Sequence, residues 1–267
     1  MIETAGYVVD TLSQRRRGIY YTPPLAAQAM AAWIVRSNTD QVMEPCFGSG
    51  VFLEAIKQVS DWRRFDLVQT HGVELMDAAH SMAVDTDLIE ARHAILGDFL
   101  GVNPFPVDAV IGNPPYIRLR SLPEGQMKQA LKVTERALGT PMDTAGSVWM
   151  AFVLHAVSFL GKGGRLAFVL PYEFTHVRYA RPLWKFLGDN FGSLRIVRVK
   201  ERLFPGIMQE AIILFADNYG ATTSNVCFEA YQTAQSLADN TPPVQKQLSL
   251  KNIIGGERPF LKALLPD

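Results

Sequence analysis

The chain has 267 residues with 26 basic and 26 acidic side chains, and 48% of it is hydrophobic. That length suits one large domain, or one domain and part of another, with a sizeable core. Zero net charge argues against nucleic-acid binding by charge alone, and no apolar run of about 18 residues offers a membrane span.

Taken in order, helical and strand patterns alternate. "MIETAGYVVDTLSQRRRG" places charges on both sides of a short apolar patch, which is not the order of a secretion signal. "PLAAQAMAAWIV" reads as a buried helix opened by proline. "QVMEP" is a short strand, and "VFLEAIKQV" a helix after a glycine turn. "FDLVQTHGVEL" is a second strand, followed by the helix "DAAHSMAVDTDLIEA" and the strands "HAILGD" and "VDAVIGN". An irregular stretch precedes the helix "SVWMAFVLHAVSFL" and the turn "GKGG". Then come the strand "RLAFVLP", the helix "RPLWKFLGDNF", and the strands "SLRIVRV" and "QEAIILFAD". Seven strands interleaved mostly with helices predict an α/β sheet covered on both faces. The last two strands lack a helix between them, so they are expected to be antiparallel. From about residue 221 the sequence turns polar and turn-rich, which sets a boundary there: 1–220 as a catalytic domain, 221–267 as a linker or the start of another region.

The chemistry sits at predicted strand ends. Glu44 closes the first strand, and Gly48 and Gly50 lie in the turn that follows. Glycine there lets the chain turn sharply and a ligand approach closely. Glu74 ends the second strand, where a carboxylate can accept from both ribose hydroxyls of a nucleoside. Asp98 ends the third and could accept from an adenine amino group, with the Phe99 backbone N–H offered to a ring nitrogen. No third fingerprint glycine and no Gly-Lys-Ser/Thr phosphate cradle accompanies them. Three acids without phosphate-binding features point to S-adenosyl-L-methionine rather than NAD or ATP. Cys46, Cys227 and the five histidines show no metal-ligand spacing and make no disulfide framework, so no metal and a reducing cytoplasm are expected.

The fourth strand stops on Asn113-Pro114-Pro115-Tyr116. By residue frequency that tetrapeptide would arise by chance in roughly one such sequence per thousand. An exocyclic amine or amide nitrogen is a poor nucleophile because its lone pair is delocalised. Two acceptors aimed at its N–H bonds favour a pyramidal nitrogen. The Asn113 side-chain carbonyl is one, and the Pro114 backbone carbonyl can be the other. Consecutive prolines hold both in place before substrate arrives. Tyr116 offers a ring for a planar group, a stack worth about 1–3 kcal/mol. Arg118 and Arg120 follow as candidate phosphate contacts, although each basic cluster also reads as a solvated face.

In these motifs and their order the chain resembles the γ-type amino-methyltransferases that make N6-methyladenine in DNA within bacterial restriction–modification systems. "GIYYTPP", "EPCFGSGVF", Glu74, Asp98-Phe99, Asn113 to Tyr116, "SVWMAFVLHAVSFLGKGGRLAFVLP" and "LFPGIMQEAIILF" carry the likeness over about residues 15 to 217. Ser147-Val148-Trp149 departs from the family, which more often has an acidic or amide residue, a leucine and a tyrosine there. The resemblance implies a Rossmann-like class I S-adenosylmethionine-dependent methyltransferase with a mainly parallel seven-stranded sheet and one antiparallel strand. It implies Tyr21, Thr22 and Pro23 against the methionine part of the cofactor and Glu44 near its amino group. Phe152 would lie near the adenine, and Phe204 would join Tyr116 in holding a flipped-out target adenine. The implied partners are double-stranded DNA and a separate or fused target-recognition domain or endonuclease, with no membrane. Family members carry a large C-terminal recognition domain, expected here to be truncated or absent. The residues alone leave open a glutamine methyltransferase of release factors, whose amide target suits the same acceptors, and an RNA adenine methyltransferase. "GIYYTPP" and Pro45 favour the DNA enzymes over the former.

Overall fold

The computed structural model describes residues 22–200, 210–239, 241–257 and 260. Tyr21 and Phe204 lie outside the described residues. The first helix, α1 (Pro24–Ile34), starts at a proline and buries Ala26, Ala27, Met30, Ala31 and Ile34. Proline at the first position loses no helical hydrogen bond, and the small alanines let the helix sit close to the sheet. There follow β1 (Gln41–Glu44), α2 (Val51–Arg63), β2 (Gln69–Glu74), α3 (Asp77–Asp85), β3 (Ala94–Leu96) and β4 (Val107–Gly112). Then come α4 (Glu124–Leu138), α5 (Trp149–Val157), β5 (Leu160–Pro171), α6 (Arg181–Asn190), β6 (Phe191–Val199) and β7 (Ala211–Tyr219). The order ends with β8 (Asn225–Tyr231), α7 (Ala234–Ala238), β9 (Val244–Ser249) and α8 (Leu250–Gly255).

The described strands form one nine-stranded sheet in the order β3-β2-β1-β4-β5-β7-β6-β8-β9. Parallel pairing runs from β3 through β5, and β7 inserts antiparallel between β5 and β6. The expected antiparallel pair is therefore present, and the sheet is mainly parallel. The count differs from the seven expected. β8 pairs parallel to β6, and β9 pairs antiparallel to β8. Residues beyond 221, expected as a linker or the start of another region, thus carry two further strands of the same sheet. Their alternation is short and set among polar residues, which hid it. The expected "GKGG" turn is instead part of β5, whose register against β4 shifts between Val107 and Ala109. The stretch expected to be irregular contains α4, whose fully buried positions are Ala130, Val133 and Thr134.

Side chains alternate across the strands because successive Cβ atoms point to opposite faces. Ala109, Ile111, Ala167 and Val169 pack on the face that α1 and α2 cover. Val110, Leu166, Phe168 and Leu170 pack on the other, under α5 and α6. One buried ion pair locks the amino-end side of this arrangement. The Arg165 guanidinium donates to Asp40 and to the Ile34 carbonyl, and Asp40 also accepts from the Arg36 and Ser37 N–H groups. With its charge met by several donors, this pair can be buried without a stranded ion. No helix among the described residues is long and apolar enough to cross a membrane.

Candidate active site

The strand order reverses direction between β1 and β4: β2 and β3 lie to one side of β1, and β5 to the other. Ligands of open parallel sheets bind beyond the carboxyl ends of the strands at such a switch point. Glu44 ends β1, Glu74 ends β2, Asp98 follows β3, and Asn113 follows β4. Four predicted site residues therefore stand at neighbouring strand ends, which repeat about every 4.8 Å across a sheet.

The turn after β1 is held from β2. Glu74 Oε2 accepts from the Gly48 N–H at 2.8 Å, and its Oε1 accepts from the Met76 N–H at 2.8 Å. Phe47 N–H donates to the Val73 carbonyl at 3.2 Å. Gly48 and Gly50 have φ of +51° and +81°, left-handed values that favour glycine. A Cβ at Gly48 would meet nothing within 4 Å, so this turn presents bare backbone to open space. Each Glu74 oxygen bonded to a backbone N–H retains a second acceptor position.

Glu44 is buried, and its Oε2 has no hydrogen-bond partner among the described residues. Burial pushes this carboxyl well above its usual range, the Glu74 charge adds to the rise, and the Leu53 N–H opposes it. A cation placed beside such a group would favour its charged form. Cys46 is also raised, chiefly by burial and then by Glu44 and Glu74. This thiol donates to the Asn113 backbone carbonyl at 3.4 Å, joining the turn after β1 to the motif after β4.

Asp98 caps a short turn, Phe99–Gly101, accepting from the Leu100 N–H at 3.0 Å through Oδ1. Gly97 N–H donates to the Glu74 carbonyl at 2.8 Å, which fixes this turn beside β2. The Phe99 ring is in the core, 5.4 Å from Phe152 and 5.4 Å from Phe159 between centroids. Its ring thus supports the turn, and only its backbone stays available to a ligand. Phe152, on α5, is likewise buried and borders the same turn.

Asn113 and Tyr116 are half-buried, and Pro114 is buried. The Asn113 Nδ2 amide donates to Thr22 Oγ1 at 3.2 Å, which brings Thr22, just before α1, against the Asn-Pro-Pro-Tyr segment. Beyond Tyr116, the chain is strapped to the start of α5. The Ile117 carbonyl accepts from the Val148 N–H at 2.8 Å and from Ser147 Oγ at 3.0 Å, and Leu119 N–H donates to Gly146 O at 2.9 Å. Arg118 and Arg120 are exposed, with Arg118 donating to the Ala145 carbonyl at 3.3 Å. The structure thus brings Thr22, Glu44, Gly48, Glu74 and Asn113 into one linked group and the Asp98–Phe99 turn beside it. Sequence reasoning missed Cys46 and Ser147, whose roles are single long-range hydrogen bonds. Leu75, directly after Glu74, is an apolar residue left 58% exposed.

The N-6 DNA Methylase family model matches residues 8–254. The chain belongs to this family. Curated relatives agree with the assignment. The type II methyltransferase M.AccI of Acinetobacter calcoaceticus is 26% identical over 264 residues, covering 89% of this chain and 46% of that protein. The type I restriction–modification methyltransferase subunit from Streptococcus thermophilus superposes with a TM-score of 0.68 at 18% identity, over 90% of this chain and 57% of that one. A Listeria monocytogenes protein classed with the class I S-adenosylmethionine-dependent methyltransferases gives 0.65 at 20% identity, over 91% and 75%. These neighbours share the fold of this N-6 DNA methylase family member. The chain spans about half or less of the length of the curated relatives it matches. Among the described residues, no group of three or more His, Cys, Asp or Glu could hold a metal ion.

Proposed function

We propose that this protein transfers a methyl group from S-adenosyl-L-methionine to the N6 amine of an adenine flipped out of double-stranded DNA, as the modification part of a restriction–modification system working in the cytoplasm. The observation that carries this reading is Asn113-Pro114-Pro115-Tyr116 at the carboxyl end of β4, with the Asn113 amide bonded to Thr22 beside the bare-backbone turn after β1. The residues present fit the cofactor. The buried Glu44 oxygen, without a partner among the described residues, suits the cofactor's ammonium group, the open side of Gly48 leaves room for its chain, and Glu74 and Asp98 have acceptor positions for ribose and adenine amine. Tyr21 and Pro23 would line the methionine end, and Phe99, Phe152 and Leu75 the adenine end. When bound, the cofactor supplies a sulfonium methyl group as electrophile.

The chain's own part is positioning and charge. Asn113 Oδ1 and the Pro114 carbonyl accept from the target N–H bonds, localise the lone pair, and stabilise positive charge developing on nitrogen. Two prolines keep these acceptors from relaxing away, so the reacting atoms are held in line. Tyr116, with Phe204, grips the extruded base, which is unreachable inside a duplex. Arg118 and Arg120 are exposed beside it, where they would meet phosphates. Base recognition would fall to a separate or fused target-recognition region, with an endonuclease as its functional counterpart.

The test is a labelled-methyl transfer assay with duplex DNA, RNA and a release factor side by side, with calorimetry of cofactor binding. N6-methyladenine in digested DNA is the expected product. Transfer to the release factor alone would replace this reading with glutamine methylation, and absence of cofactor binding would end it.

A further inference from the structure

The geometry points to Thr22 as the positioning residue that sets which way round the Asn113 amide stands. This rests on the methyl-transfer reading above and deepens it. A carboxamide is nearly symmetrical in shape but opposite in chemistry at its two ends. Turned by half a rotation, Asn113 would present N–H groups to a target amine that itself presents N–H groups. The correct face is therefore a condition of catalysis, and shape alone does not enforce it.

The backbone of Asn113 is already fixed. It follows β4, its carbonyl accepts from Cys46 Sγ at 3.4 Å, and it is restricted by the proline after it. What remains is rotation of the side chain. Thr22 Oγ1 receives the Nδ2 donor at 3.2 Å, which turns Oδ1 toward the opposite side. Thr22 is only 5% exposed, so water does not readily replace it as acceptor. It is held in turn by Pro23, the cap of α1 with φ of −59°, and by the burial of that helix. The segment before α1 thus reaches the catalytic amide across the sheet's switch point, as well as forming a wall for the cofactor's methionine end.

The two roles separate experimentally. Thr22→Val keeps the shape and removes the oxygen, and Thr22→Ser keeps the oxygen. At saturating cofactor and DNA, T22V should slow single-turnover methyl transfer on the order of tenfold, the worth of one modest hydrogen bond. T22S should recover most of the rate, and the cofactor Kd from calorimetry should stay within about twofold in both. A weakened Kd with an unchanged saturated rate would overturn the proposal and leave Thr22 as a cofactor contact. Equal slowing in T22S and T22V would overturn it too, because packing would then be the cause. An arm independent of activity uses side-chain amide NMR of the intact chain, with the Asn113 signals identified by their loss in Asn113→Ala. T22V should shift those signals and speed their hydrogen exchange, and unmoved signals would sink the proposal. If the wild-type chain methylates no substrate, the functional reading fails, and the NMR arm alone decides whether Thr22 holds the amide.

Discussion

Gly112 is where the sheet meets Asn113-Pro114-Pro115-Tyr116, and Gly112→Ala perturbs both by a calculable amount. A Cβ there would lie 3.0 Å from Phe168 Cε1, 3.2 Å from Pro45 Cδ and 3.5 Å from Phe168 Cδ1. Carbon atoms prefer about 3.5–4.0 Å, so two contacts are too short by roughly half an ångström. Neither neighbour can swing aside. Phe168 is fully buried and faces Gly112 in the β4–β5 ladder, and Pro45 is a buried ring in the turn after β1. Overpacking of this kind costs about 1–3 kcal/mol. The smaller entropy of an unfolded alanine returns about 0.4–1 kcal/mol, leaving a net loss of about 1–2 kcal/mol. In a chain of this size that lowers Tm by roughly 2–8 °C. The same push separates the end of β4 from the turn after β1, and so Asn113 from the cofactor. Since a misplacement of about 1 Å can cost 10²-fold, half of it should slow methyl transfer roughly tenfold. Thermal and urea denaturation with single-turnover kinetics read both effects. Unchanged Tm and rate would refute the packing argument, and a lowered Tm with an unchanged rate would refute the coupling of this strand end to Asn113.

Asn113→Ala should leave cofactor affinity and Tm near wild type while lowering methyl transfer by roughly 10²–10³-fold, the usual loss when one preorganised group is removed; a rate within a few-fold of wild type would refute its role. Glu44 holds its proton more tightly folded than unfolded, because burial and then Glu74 raise its pKa. The folded state therefore binds more protons, and stability falls as pH rises from the ordinary carboxyl range through the raised pKa. Glu44→Gln abolishes this titration, so it should gain stability over wild type with rising pH while binding the cofactor less well; parallel stability curves between pH 4 and 8 would contradict this. Ser147→Ala should be mild, costing about 0.5–1.5 kcal/mol, because the Ile117 carbonyl keeps the Val148 N–H and is not left unpaired. A loss of several kcal/mol in urea denaturation would show that the hydroxyl carries more than this strap.

The layers of this fold are legible wherever burial writes a strong period. The strands from "QVMEP" to "QEAIILFAD" carry apolar residues with turn signals at their ends, and the helix of Pro24–Ile34 is mostly small and apolar. Helix α4 lacks that mark. It carries Glu124, Lys128, Lys132, Glu135 and Arg136 on its outer face and a thin buried stripe, so its local pattern competes poorly with its many charges. β9 is harder still, since Val244 to Lys246 are exposed and only Leu248 is fully buried. Its strand character comes from hydrogen bonds to β8, a tertiary property that no local window contains.

The site was easier to see than the edge of the sheet, and the reason is topological. Right-handed crossovers bring the carboxyl ends of parallel strands to one rim whatever their order in the sheet. A residue that ends a strand is therefore a candidate for the rim from sequence alone, as Glu44, Glu74, Asp98 and Asn113 were. What the rim does with such residues is set by partners distant in sequence. Glu74 is a clear case: the strand-end rule places its carboxylate near a nucleoside, but only the fold shows both oxygens also accepting the Gly48 and Met76 N–H groups. A carboxylate so anchored cannot rotate toward its ligand without releasing the turn that the ligand rests on. Orientation and turn are thus coupled: of the two bonds that orient the acceptor, the one from the Gly48 N–H also ties down the left-handed turn. A change at Glu74 should therefore loosen the turn and the proposed ribose site together, which is why strand-end acids and the glycines before the next helix have to be understood as one device.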